Sequence, residues 1–395
     1  MWATIVERHS LRLVPSTVWW LGVFGFLTGA SSVVYVTLTP LFLRHQLSID
    51  IQTMGIIGGI AESVAMISRA IIGILSDRWG TRKAFLMVGG FLYLLGRGLL
   101  VVPSNVYTVS LARFLDRIGN GIQASPRDAL VGQITPDSVK GVGYGFRMGV
   151  TFAGPVFGAL CAVPFLREET IPFQQIFLYA TFPVIFALVI LHYCVEDQRF
   201  SSRPVQFFTH LQRFSSTCWK IVGLNTLFQL LNFCGSFVVI MVEQYQSSWQ
   251  MTFWIMVVQN STAALVSLCF GHWIQRHSAM RVLLTVSALG FLTNGVLMHS
   301  LNLTTAFVGI GFFGLYLGFV QTVFAILMAK HTSKESLGTG FGILHFSSGI
   351  AVLLTNTIMG MIWSHTMGGP GAAFGLNALL ALLNGVFVVI FARRL

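Results

Sequence analysis

Gly73-Ile74-Leu75-Ser76-Asp77-Arg78-Trp79-Gly80-Thr81-Arg82-Lys83 lies between two long apolar runs and concentrates charge at a tight turn. Each residue type has a physical reason to be there. Glycine at 73 lets a neighbouring helix approach closely, and glycine at 80 accepts a turn that few side chains tolerate. Asp77 can accept hydrogen bonds from backbone N–H groups at a helix N-terminus, or pair with an arginine. Arg78, Arg82 and Lys83 supply the positive charge that holds a loop on the cytoplasmic side of a membrane. As a charge run alone, the segment is an ordinary basic loop; the spacing G-x-L-x-D-R-x-G-x-R-K is much more specific.

Outward from this loop the chain is apolar. Of its 395 residues, 54% are hydrophobic and 9% charged, with a mean hydropathy of +0.76. A soluble domain carries about 25% charged residues, so the solvent of this chain is lipid. Apolar runs recur at roughly 18–43, 51–75, 84–103, 106–127, 144–166 and 173–195. After a polar stretch they resume near 219–243, 250–272, 280–300, 304–329, 338–363 and 370–392. Each is about 20 residues or slightly more, enough for a helix to cross a ~30 Å hydrocarbon core. Barrel strands are shorter and alternate in polarity. The expectation is an all-α membrane protein with twelve spans: an N-terminal half over 1–195, a cytoplasmic linker over 196–218 and a C-terminal half over 219–395.

Basic residues orient the spans. With the N-terminus in the cytoplasm, eighteen lysines and arginines fall in inside segments, and only Arg44 and Arg167 fall outside. Both termini are then cytoplasmic. The net charge of +11 faces an anionic leaflet rather than nucleic acid. Residues 1–16 have no small-residue cleavage site and do not read as a secretory signal. Five cysteines, an odd number with no CxxC pair, give neither a disulfide framework nor a metal site, and no cofactor is expected. Thr135, Gly141, Gly143 and Gly145 recur as Thr332, Gly338, Gly340 and Gly342, 197 positions later. Gln275, Arg276 and Arg281 form a weaker echo of Asp77, Arg78 and Lys83, without the aspartate. Duplicated halves with a site between them are a common transporter plan.

The organising loop resembles the one between helices 2 and 3 of the major facilitator superfamily of secondary transporters, with Thr81 replacing a usual basic residue. Arg113-Phe114-Leu115-Asp116-Arg117-Ile118-Gly119-Asn120-Gly121-Ile122-Gln123, followed by Ser125-Pro126-Arg127-Asp128-Ala129, is similar to span 4 of a bacterial subgroup reading R-x-x-D-R-x-G-K-G-x-R-x-x-P-R-D-A. Asn120 and Gln123 depart from basic residues there, and Val33 stands where an acid usually follows the serine pair in span 1. In the wider superfamily the arginine matching Arg113 is implicated in proton coupling. Gly154, Pro155 and Gly158 in span 5 resemble the antiporter motif of exporters, with Val150 and Ala159 in place of two glycines. The resemblance implies two pseudo-symmetric six-helix bundles, a monomer, and a multi-pass protein of a bacterial inner membrane.

Charges inside lipid cost a few kcal/mol each and are functional candidates by default. Six stand out: Glu62, Arg69, Arg97, Arg113, Asp116 and Arg117. They comprise four cations and two anions, all in the N-terminal half. Glu62, Asp116 and Arg117 lie about 15 Å from the outer surface at 1.5 Å per residue. A purely structural arrangement would lock Glu62, Arg69, Asp116 and Arg117 together, leaving Arg97 and Arg113 in surplus. That surplus points to an anionic substrate or a proton-coupled rearrangement. Asn225, Gln229 and Gln321 are the favoured cavity residues of the second half, while helix–helix hydrogen bonds account for most other intramembrane amides. His192, His299 and His345 form no ligand set.

No convergent nucleophile, base or metal group is visible, and no GxxxxGK[ST] loop, so neither a membrane enzyme nor a nucleotide-driven pump is expected. The expected function is proton-coupled secondary transport by alternating access, with export of an anionic metabolite or siderophore. Multidrug-type efflux of amphipathic compounds and uptake of an anionic nutrient or siderophore are the alternatives, and a non-transporting receptor is a further one.

Overall fold

The structure is a computed structural model and describes residues 11–45, 47–48, 51–102, 105–166, 172–196, 214–233, 249–300, 302–365 and 369–391. Within them the chain is all α-helix, with three short 3-10 turns and no strand. Twelve α-helices follow the twelve expected spans. They are α1 (Ser16–His45), α2 (Ile51–Trp79), α3 (Lys83–Leu99), α4 (Val106–Ile134), α5 (Lys140–Ala162) and α6 (Phe173–Cys194), then α7 (Ser216–Gln229), α8 (Trp249–Arg276), α9 (Ala279–Met298), α10 (Leu303–His331), α11 (Leu337–His365) and α12 (Gly369–Phe391). Most of the expected linker, as well as Cys234 and Arg167, lies outside the described residues.

Eight of these segments are long and apolar enough to cross a membrane unaided: those of α1, α5, α6 and α8 to α12. The others are the informative exceptions. Helices α2 and α4 carry the intramembrane charges, α3 is only 17 residues long, and α7 ends at Gln229 just before residues outside the description. Helix ends follow ordinary capping chemistry. Asn105 Oδ1 accepts from Thr108 N at 2.9 Å to start α4. Asn302 and Thr305 form a reciprocal capping box that starts α10. The Asn302-Leu303-Thr304 run is therefore a helix start.

The packing is paired. Helix α1 lies against α5 and α6, α4 against α2 and α3, α10 against α8 and α9, and α9 also against α12. The two most extensive pairs joining the first six helices to the last six are α5 with α8, and α2 with α11. These junctions are equivalent under the 197-residue repeat, and both depend on glycine. A Cβ on Gly338 would lie 2.5 Å from the Gly73 carbonyl oxygen, and one on Gly141 would lie 2.5 Å from that of Gly271. Backbones approach this closely only where both lack side chains.

Candidate transport site and its gate

The loop after α2 turns at Gly80, whose φ of +65° is the left-handed conformation that glycine adopts freely. The turn brings Arg82 back onto Asp77, at 3.2 Å, with both side chains buried. Asp77 then reaches across to the other half. Its Oδ1 accepts from Gly338 N at 2.9 Å, and its Oδ2 accepts from Thr339 N at 2.5 Å and Thr339 Oγ1 at 2.8 Å. These are the first amides of α11, which no intrahelical carbonyl can satisfy, so a carboxylate at the positive end of the helix dipole is doubly favourable. Arg82 also donates to Lys334 O at 3.3 Å. Arg78 is exposed, and Lys83 Nζ bonds His192 O at 2.6 Å within the first half. Of the candidate loop residues, Gly73, Asp77 and Arg82 meet the second half; Gly80 makes their geometry possible.

The symmetry-related junction uses a neutral side chain. Gln275 Oε1 accepts from Gly141 N at 2.6 Å, while its Nε2 donates to Asp137 O at 2.8 Å and Ser138 O at 3.0 Å. Gln275 thus does for α5 what Asp77 does for α11, without the charge. Beside it, Lys140 Nζ lies 2.6 Å from Asp137 Oδ1 and donates to Ala329 O at 3.1 Å. That ammonium holds the exposed Asp137 carboxyl below its ordinary value.

Higher in the bundle, the charged residues form a chain. Arg97 Nε is 3.2 Å from Asp116 Oδ1, Arg117 Nε is 3.3 Å from Asp116 Oδ2, and Arg117 Nη1 is 3.0 Å from Glu62 Oε1. Arg97 is 1% exposed, with its guanidinium 3.6 Å from the Tyr93 ring centroid and 4.8 Å from that of Tyr35. The partner of Asp116 on α3 is therefore Arg97, which the sequence left in surplus. Arg69, expected in this lock, instead donates to Asn120 Oδ1 at 3.0 Å. Glu62 ends the chain with its side chain 46% exposed, and Arg113 is half-buried one helical turn away on α4.

About 15 Å from Arg117 along α4, at 1.5 Å per residue, is a second charged cluster, of which the sequence counted Arg127 and Arg147 only among the cytoplasmic-side basic residues. Asp128, buried, takes Arg147 Nη2 at 2.6 Å on Oδ1 and His345 Nε2 at 2.9 Å on Oδ2; Arg127 Nε stands 3.7 Å from Oδ1. Tyr144 donates to the Asp128 carbonyl at 2.7 Å. Arg147 lies wholly inside α5, and His345 is a functional candidate that the sequence treated as isolated. The signal that could have found it is its helix: α11 also carries the 197-residue glycine repeat.

The second-half amides are less central than expected. Asn225 is buried and bonds Ser348 Oγ at 2.7 Å, tying α7 to α11. Gln229 Oε1 accepts from Asn232 at 3.0 Å. Gln321 is half-buried on α10. Gly154 and Gly158 of the antiporter-like segment pack onto α1 at Phe26 and Ala30, with Pro155 against Gly29. The part of α5 that meets the other half is Gly141–Gly149, against Ser267, Leu268 and Gly271 of α8.

The model of the Major Facilitator Superfamily matches residues 21–262. The chain belongs to that superfamily. An uncharacterized MFS-type transporter of Methanocaldococcus jannaschii is 22% identical over 393 residues, covering 96% of this chain and 95% of that one. The multi-drug resistance efflux pump PmrA of Streptococcus pneumoniae is 29% identical over 187 residues, 45% of this chain and 44% of its own. Among solved structures, the human organic anion transporter MFSD10 superposes with a TM-score of 0.78 at 14% identity, over 95% of this chain and 99% of that one. FucP in its outward conformation gives 0.72 at 14% identity with the same coverage. Both likenesses concern the fold. This facilitator is thus a multi-pass membrane transporter of a small molecule rather than an enzyme, with the two-bundle architecture of its superfamily.

Proposed function

We propose that this facilitator moves a small anionic organic solute by alternating access, coupled to protons, with export as its working direction. The observation that carries the reading is the charge balance inside α2 to α5. At the upper level Arg97, Arg113 and Arg117 face two carboxylates, Glu62 and Asp116; at the lower level Arg69, Arg127 and Arg147 face one, Asp128. Buried charge of one sign is expensive without a counter-ion, and an anionic solute supplies one. Arg113 anchors the anion, and the half-exposed Glu62, bonded to Arg117, is the coupling carboxylate of the upper level. Gln321 is the remaining second-half residue open to a solute. The export direction is supported by the similarity of 45% of this chain to a named efflux pump and by the Gly154, Pro155, Gly158 segment. That same similarity favours one second reading, efflux of amphipathic compounds.

In this reading residues 1–195 and 219–395 are the rocking halves and 196–218 the cytoplasmic linker. The protein acts as a monomer in a bacterial inner membrane with both termini in the cytoplasm, so the Asp77 end is the cytoplasmic gate, here closed. The test is substrate binding to purified variants. Arg113→Gln abolishes anion binding while the protein stays monodisperse, and Arg113→Gln/Asp116→Asn does not recover it. Recovery in the double variant would reduce Arg113 to a structural ion-pair member.

A further inference from the structure

The lower cluster has more donors than it uses. Asp128 Oδ2 is bonded by His345 Nε2, while Oδ1 meets Arg147 Nη2 as an ion pair without hydrogen-bond alignment. Arg127 Nε is beyond hydrogen-bond distance of it, and Arg69 reaches only a neutral amide. Among the described residues, Arg69 Nε, Arg127 Nε, and Arg147 Nε and Nη1 are buried donors with no acceptor. A buried guanidinium N–H without a partner is costly, so an acceptor at this place, water or a solute oxygen, stabilises the arrangement. The side chains also differ in access. Arg147 is sealed at 0% exposure, whereas those of Arg127 and His345 are 20% and 23% exposed deep within the bundle. Arg147 therefore pairs with Asp128 out of reach of solvent, while Arg127 and His345 each keep part of their side chain exposed.

We propose that Arg69 and Arg127 of the first half, with His345 of the second, form an anion-binding station at the Asp77 end, distinct from the Arg113 level and about 20 Å from it along α4. Its ligand is a carboxylate or phosphate group on a small solute, since guanidinium forks match the oxygens of both. The groups facing it are Arg69 on α2, Arg127 and Asp128 on α4, Tyr144 and Arg147 on α5, and His345 on α11. Three cations and an imidazole surround a single carboxylate. The station includes side chains from both halves, so an anion bound there bridges them, and parting of the gate dismantles the site and releases the anion to that side. The inference rests on the anionic-solute reading and deepens it, with its ligand held by residues other than Arg113.

The experiment uses the full-length purified protein with citrate and inorganic phosphate as probes, against sodium chloride at matched ionic strength, read by thermal melting and calorimetric titration. The wild type is expected to melt at higher temperature in citrate. Arg127→Gln and Arg69→Gln each weaken citrate binding at least tenfold, while Arg127→Lys, which keeps the charge, stays within about threefold of wild type. Absence of a citrate- or phosphate-dependent shift in the wild type would overturn the station and leave the orphaned donors to water. Wild-type citrate affinity in both glutamine variants would overturn it as well. If Arg127→Gln does not fold, Arg69→Gln and Arg127→Lys decide the matter. Arg113→Gln separates the two sites: a citrate shift retained there and lost in Arg69→Gln supports this station even if the Arg113 reading fails, and the reverse pattern overturns this station alone.

Discussion

Arg97 is accommodated at 1% exposure because a carboxylate, two aromatic faces and the end of a short helix all attend to it. Tyr35, which lies under its guanidinium, is itself anchored by Phe177 O at 2.8 Å and Thr181 Oγ1 at 2.7 Å. This is a structural environment, and it predicts a structural phenotype. Arg97→Gln should destabilise the protein by about 3–5 kcal/mol, the usual cost of removing one partner of a buried pair, with a lower melting temperature and poor yield. Arg97→Gln/Asp116→Asn should recover much of that loss; no recovery would mean that the cation–π contacts dominate. The sequence displayed every one of these charges but not their partners. Pairing of α3 with α4 depends on how the two helices are rotated, and local spacing does not encode that rotation. Asp128 was hidden for a second reason. Helix α4 runs for 29 residues, longer than the hydrocarbon is thick, so its last turns are buried in protein although they fall outside the apolar run.

At the scale of elements, the two junctions share backbone geometry and differ in charge. The close glycine approaches and the caps on α5 and α11 were legible as a repeat, since Gly141 and Gly338 recur at a fixed offset. What each cap touches was not legible, because Asp77 and Gly338 are 261 residues apart. Asp77→Asn should weaken the α11 cap and strand the buried Arg82, shifting the gate equilibrium by about 1–3 kcal/mol toward the open state. Gly80→Leu should act alike, since a side chain at φ +65° costs about 1–2 kcal/mol. A single cysteine at Ser76, buried where α2 meets Gly338 of α11, should be labelled by maleimide at least fivefold faster in both variants. Labelling at the wild-type rate in both would count against a gating role for the loop.

For the whole molecule, the length of the apolar runs was enough to establish twelve helices and their order. The second half was recognisable only as architecture. The superfamily model ends its match at residue 262, inside α8, and every motif that carried the resemblance lies before that point. A protein built from two halves needs matching lengths and packing surfaces throughout, but its chemistry can be confined to one of them, as the intramembrane charge is here. The proposed orientation is tested by single cysteines in a Cys-free background. Ser138, Ser202 and Ser333 should react only from the cytoplasmic side and Ser48 only from the other. Labelling of Ser202 from outside would reverse or break the twelve-span arrangement.

The cap on α11 comes from the opposite half of the molecule, so two amide hydrogens are covered in one conformation and bare in the other. Gly338 N and Thr339 N are bonded to Asp77 while the gate is shut. When it parts, they become the unprotected first amides of a helix and trade their protons with water. Their deuterium uptake therefore counts gate openings in the unlabelled wild-type protein, without a reporter dye or a known substrate. Gly141 N, covered by Gln275, counts the same event at the second junction. Equal uptake rates at the two places mean that the halves rock as one rigid pair, and unequal rates mean that one seam opens before the other.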